Sequence, residues 1–217
     1  LIFSPDEDWM FGGRRHASGS LIDIDLAALR GPNPVMTNGT LKVVFDPGER
    51  QSLQDVSVLS DSILAGVSDN VVGTLHRFTA GPFQRDGWDW VDTPLDVAAN
   101  SAVGLGDSSK SRGEVFISTQ GFLTPPTLSL ADVSSGTLTP LKSAPAKFEA
   151  STHVTEQYEA TSTDGTRIPY FITRPADLAM DGAAPTILFG YGGFQVSFPP
   201  AYKPEMGKLW LERGGVF

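Results

Sequence analysis

From Leu1 to about Ala150 the chain is a series of short apolar runs broken by turn residues. Leu21-Ile22-Asp23-Ile24-Asp25-Leu26 alternates apolar and charged positions, the pattern of a strand with one buried face. Leu41 to Phe45, Ser62 to Val67, Leu75 to Phe78, Glu114 to Thr119 and Thr127 to Leu130 are similar runs. Gly31-Pro32-Asn33-Pro34 and Asp107-Ser108-Ser109 are examples of the clusters between them, and such residues favour turns. One helical turn is predicted, over Leu26 to Arg30, ended by Gly31-Pro32. The Ser62–Phe78 and Glu114–Leu130 strand pairs lie roughly 50 residues apart, which is the repeat of a four-stranded propeller blade. No kelch or full WD-repeat signature accompanies the spacing, so a β-sandwich stays open beside a propeller. Residues 1–150 are thus expected to be all-β, with room for about three blades.

The texture changes near Ala150. Tyr158 to Thr163, Asp164-Gly165 and Thr166 to Ile172 read as a β-hairpin, with Asp-Gly predicting a type I′ turn. Pro175 ends the second strand and Ala176 to Ala184 forms a loop. Pro185-Thr186-Ile187-Leu188-Phe189-Gly190 is a continuous apolar run, suited to a strand covered on both faces. Pro204 opens a helical pattern carried by Met206, Leu209, Trp210 and Arg213, with Gly214 at its end; Pro suits the first helical position and Gly the C-terminal cap. Strand, loop, helix and the start of another strand predict the opening of an α/β domain over 151–217.

Composition narrows the function. Four Trp and thirteen Phe supply large apolar surface for a core. Acidic residues outnumber Lys and Arg by 25 to 16, a net charge of −9, which argues against nucleic acid and anionic membrane surfaces as partners. With no cysteine, disulfides, thiolate metal sites and a Cys nucleophile are excluded. No stretch approaches the ~18 apolar residues of a membrane-spanning helix. Compartment and oligomeric state stay open. Leu1-Ile2-Phe3-Ser4-Pro5 and Gly214-Gly215-Val216-Phe217 both read like the middle of a longer chain.

The sharpest motif is Phe189-Gly190-Tyr191-Gly192-Gly193-Phe194. Its glycines allow a tight turn around Tyr191, at the end of a strand where α/β sheets bind ligands; a plain strand-to-loop turn stays open beside that. The dinucleotide fingerprint fails, because the sixth position is Gln195 and Pro199-Pro200 intervene before any helix. His16, His76 and His153 are far apart and lack metal-ligand spacing, and Asp6-Glu7-Asp8 lacks the rest of a calcium loop. No metal or cofactor is therefore expected. No G-x-S-x-G nucleophile elbow occurs, and Ser197 runs into Phe198-Pro199-Pro200 rather than a helix.

Tyr191-Gly192-Gly193-Phe194, then Ser197, Pro200, Tyr202 and Trp210-Leu211-Glu212-Arg213-Gly214-Gly215-Val216, closely resemble the start of the peptidase domain in the prolyl oligopeptidase family. Ala160 to Pro169 resembles the hairpin that joins that family's propeller to its hydrolase core, and Phe122-Leu123-Thr124-Pro125-Pro126 resembles part of its last blade. The resemblance implies a mixed fold, in which antiparallel β-propeller blades (1–150) are followed by the opening hairpin, strand and helix of an α/β-hydrolase domain (151–217). It implies a serine peptidase acting on short proline-containing peptides. It also implies that the family's Ser, Asp and His lie past Phe217, which would leave this chain inactive alone. Tyr191 matches the tyrosine that helps form the oxyanion hole, and Phe194 an aromatic of the proline pocket. A non-catalytic propeller scaffold, or an acylaminoacyl- or dipeptidyl-peptidase relative, is the alternative.

Overall fold

The computed structural model describes residues 1–30, 40–83, 88–194 and 196–217. The Gly31–Pro34 cluster and Gln195 fall outside them. In chain order come β1 (Ile2–Phe3), β2 (Trp9–Phe11), β3 (Arg14–His16), β4 (Leu21–Ile24), the helical turn α1 (Leu26–Leu29) and β5 (Leu41–Phe45). β1, β4 and β5 form a three-stranded sheet, and β2 pairs with β3. Next is an antiparallel meander of β6 (Gln51–Val58), β7 (Ser62–Asp69), β8 (Val72–Ala80) and β9 (Trp90–Leu95). A second meander follows, of β10 (Ser101–Ser109), β11 (Glu114–Gly121), β12 (Thr127–Asp132) and β13 (Thr137–Ser143). Pro94 and Pro140 sit in β9 and β13, the outer strands of their sheets, where a missing N–H costs no ladder bond.

Burial separates a stack of sheets from a two-layer sandwich. In a sandwich each sheet buries one face. Here β7 buries both, because its Ile63, Ala65 and Val67 pack with Leu21, Val44 and Phe45 of the first sheet. Leu64, pointing the other way, packs with Val115, Ile117 and Ala131 of the last. Ser62–Val67, expected as a strand with one buried face, therefore buries both. The sheets approach closely: a Cβ on Gly73 of β8 would lie 2.6 Å from the backbone nitrogen of Val103 in β10. The arrangement is propeller-like.

Two turns differ from expectation. Asp107-Ser108-Ser109 is not a turn but the end of β10, where a bulge between Leu105 and Ser108 absorbs the extra residues. The chain reverses later, at Gly113 (φ 65°), whose N–H reaches the Ser109 carbonyl at 2.9 Å. The Asp164-Gly165 turn is not type I′, since only Gly165 has positive φ (87°). The Asp164 carboxylate instead accepts the Thr166 N–H at 3.0 Å, an interaction that favours the longer loop with one left-handed glycine. Type I′ geometry occurs at Asn70-Val71, with φ of 50° and 67°. A β-branched residue there is strained.

The hairpin of β14 (His153–Thr161) and β15 (Arg167–Pro175) docks on the meanders through every second residue of β14. The Asn100 amide donates to the Thr155 carbonyl at 2.9 Å, the Gln157 amide to the Asn70 carbonyl at 2.7 Å, and Arg50 pairs with Glu159. Arg50 first, and Arg167 with it, hold the Glu159 carboxyl below its ordinary range. This ion pairing is therefore present at neutral pH and lost as acid carries the carboxyl through its lowered pKa.

Beyond the hairpin, Thr173 and Phe217 exchange backbone hydrogen bonds of 2.7 and 3.0 Å, and a parallel bridge joins Thr186 to Val216. The ladder thus runs β14, β15, 216–217, 185–187. Of the expected strand over Pro185–Gly190 the structure shows that bridge, and Leu188 is 93% exposed rather than covered on both faces. The connection carries α2 (Pro204–Leu209) and a 3₁₀ turn (Leu211–Arg213), so the predicted helix breaks at Trp210. Gly214 caps it with φ 83°. A Cβ on Gly215 would meet the Trp210 ring at 2.4 Å, and the Trp210 indole N–H donates to the Val216 carbonyl at 2.9 Å. The tryptophan needs a glycine beside it to reach the strand.

The segment linking meander to hairpin is anchored by Phe148, which is buried and stacked on Tyr202 at 5.3 Å. Gly207 makes room for that ring: a Cβ there would lie 2.0 Å from Phe148 Cδ1. Gly207→Ala should therefore destabilise the chain by ~1–3 kcal/mol through overpacking. That outweighs the gain of about 1 kcal/mol in helix propensity. A urea midpoint that rises in this variant would refute the packing.

Candidate functional site

The glycine motif follows directly on the parallel bridge. Ile187 donates its N–H to the Val216 carbonyl at 2.9 Å, and the chain then leaves the sheet through Gly190 to Tyr191. Tyr191 is half exposed, at 51%. Its phenol folds back over Gly193, where an added Cβ would stand 3.0 Å from the hydroxyl oxygen. Gly193 is small because the hydroxyl occupies the space a side chain would need. Phe194 has φ 56° and is 93% exposed. Its ring is presented at the surface and forms no pocket wall with the described residues.

The sequence pointed to Tyr191 and Phe194, and it missed the residues that surround the phenol. Phe198 packs edge-on against Tyr191 with centroids 5.1 Å apart, and against Phe189 at 5.5 Å. The Lys203 ammonium sits 4.5 Å above the Phe189 ring and 5.6 Å from that of Phe217, within cation–π range. The signal was present as aromatics on either side of the glycines, but a loop has no periodicity to say which rings meet. Beside this loop an apolar hollow of about 390 Å³ opens between β15 and residues 185–188, lined by Tyr170, Ile172, Leu178, Met180 and Leu188 among others. Among the described residues, no charged side chain lines it.

A phenol donor can bind an oxyanion, but it cannot create one without a nucleophile and a base. One hydroxyl–imidazole–carboxylate chain does occur: Thr74 Oγ1 lies 3.2 Å from His76 Nε2, and His76 Nδ1 lies 2.9 Å from Asp92. It is structural. The Thr74 hydroxyl donates to the Val67 carbonyl at 3.0 Å, so its proton is engaged, and the imidazole packs among Phe45 and Phe78. Among the described residues, no group of three or more His, Asp or Glu side chains could hold a metal ion.

No protein-family model matches the chain. The uncharacterized peptidase y4nA of Sinorhizobium fredii is 36% identical over 218 residues, covering 100% of this chain and 29% of that protein. The prolyl endopeptidase of Elizabethkingia miricola is 36% identical over 119 residues, 55% of this chain and 17% of its own length. A solved post-proline cleaving enzyme from Rickettsia typhi superposes with a TM-score of 0.75 at 29% identity, over 99% of this chain and 30% of that one. The chain belongs to the prolyl oligopeptidase family. Its members are serine peptidases, and this chain spans less than a third of the length of those relatives. Membership agrees with the propeller-like stack of sheets.

Proposed function

We propose that this chain is part of a prolyl oligopeptidase-type serine peptidase that cleaves short peptides after proline. Residues 1–150 supply about three propeller blades, and residues 151–217 open the α/β-hydrolase domain. The observation that carries the proposal is the place of Tyr191, just past the C-terminal end of a segment paired in parallel with Val216. Ligands of α/β sheets bind at that end. The ladder order β14, β15, 216–217, 185–187, with α2 in the parallel connection, supports the domain assignment, since a parallel pair needs such a crossover. Relatives named prolyl endopeptidase and post-proline cleaving enzyme support the substrate class.

In this proposal the Tyr191 hydroxyl donates to the oxygen of the tetrahedral intermediate, and Phe194 offers a flat apolar wall to the pyrrolidine ring. The nucleophile and base come from parts of the protein outside this sequence, which has no G-x-S-x-G elbow. The full-length protein should hydrolyse a proline-linked chromogenic peptide and be blocked by a serine-directed inhibitor. The 217-residue chain alone should be inactive. Activity in the isolated chain, or a full-length protein inert toward the peptide, would sink the proposal.

A further inference from the structure

We infer that Phe198 is a positioning residue for Tyr191, acting through an aromatic chain that ends on the Lys203 cation. This rests on the oxyanion role proposed for the Tyr191 phenol. A phenol on a glycine-flanked loop is poorly held, because Gly190 and Gly192 carry no side chain that could pack beside it. What the ring does have is Phe198. The two meet at an interplanar angle of 62°, the edge-to-face arrangement that aromatic pairs favour. Phe198 is held in turn by Phe189 at 74°, and Phe189 lies beneath the Lys203 ammonium. Lys203 immediately precedes α2, so the series starts from a fixed point at a helix end. One side of the phenol is closed by Gly193 and another by Phe198.

The chemistry needs such support, because a donor stabilises a developing oxyanion only when it is aimed before the charge appears. A misplacement of about 1 Å can cost 10²-fold in rate. Phe198 is 48% exposed in this chain, and thermal melts of the full-length variants check that the fold survives its loss. The contact that gives it this role is the one with Tyr191.

The test is a double-mutant cycle in the full-length protein with a proline-linked chromogenic peptide. Phe198→Ala should lower kcat roughly tenfold with KM within about twofold, because orientation is lost and binding is not. Phe198→Tyr should restore most of the rate. In a Tyr191→Phe background, where no hydroxyl remains to aim, Phe198→Ala should have almost no further effect. An equal loss in both backgrounds, or no loss in either, overturns the positioning role while leaving the phenol's role standing. A Tyr191→Phe variant as fast as the parent overturns both.

Discussion

On the oxyanion role proposed for Tyr191, Tyr191→Phe in the full-length protein should lower kcat about a hundredfold, the effect of removing one such donor. The substitution deletes a single oxygen and keeps the ring, so the edge contact with Phe198 survives. The hydroxyl stands over Gly193 rather than inside a core, and its removal leaves no cavity. KM should move little, because a donor aimed at the tetrahedral oxygen is used in the transition state more than in the ground state. Thermal stability should be unchanged. Steady-state kinetics on a proline-linked peptide checks the split. A rise in KM at constant kcat would assign Tyr191 to substrate binding and remove it from the oxyanion hole.

Phe78→Ala should cost about 4 kcal/mol of folding free energy, a large share of the 5–15 kcal/mol typical of a whole domain. Phe78 is 1% exposed and belongs to the cluster that joins the first sheet to β7 and β8. Its ring lies 6.3 Å from Phe45 across that junction. The cavity left by alanine cannot collapse readily, because the sheets on either side are held by their own hydrogen-bond ladders. Urea unfolding of the chain measures the effect. Leu128→Ala, at a position 40% exposed on β12, serves as a control expected to cost far less. If the two variants lose similar stability, the sheets are not stacked through Phe78.

Residues 41–45 were legible as a strand to the residue, because periodicity is a local property of a strand, whereas the burial of both faces of Ser62–Val67 was not, because it depends on the sheets that flank it. The blade repeat was legible from strand spacing, while the choice between sandwich and propeller was not. That choice depends on which face of β7 meets which neighbour, a contact between distant segments. Turn chemistry misled at Asp107–Ser109, where a bulge carried the strand through three turn-forming residues. It misled again at Asp164, whose carboxylate selected a longer loop. At the candidate site the glycines and Tyr191 stood out in the sequence, whereas Phe198 did not. Its relation to Tyr191 comes from the path of a loop, which no hydrophobic pattern encodes.

The three polar links between β14 and the meanders join residues 55, 87 and 109 positions apart. Each partner on the meander side, Asn100, Asn70 and Arg50, precedes the hairpin in the chain. During synthesis from the N-terminus, both meanders can therefore form before the first residue of β14 is available. The hairpin then lands on a surface already assembled, where one docking event satisfies all three links. An order of assembly that follows the order of translation would spare the nascent chain the entropic cost of closing three long loops separately.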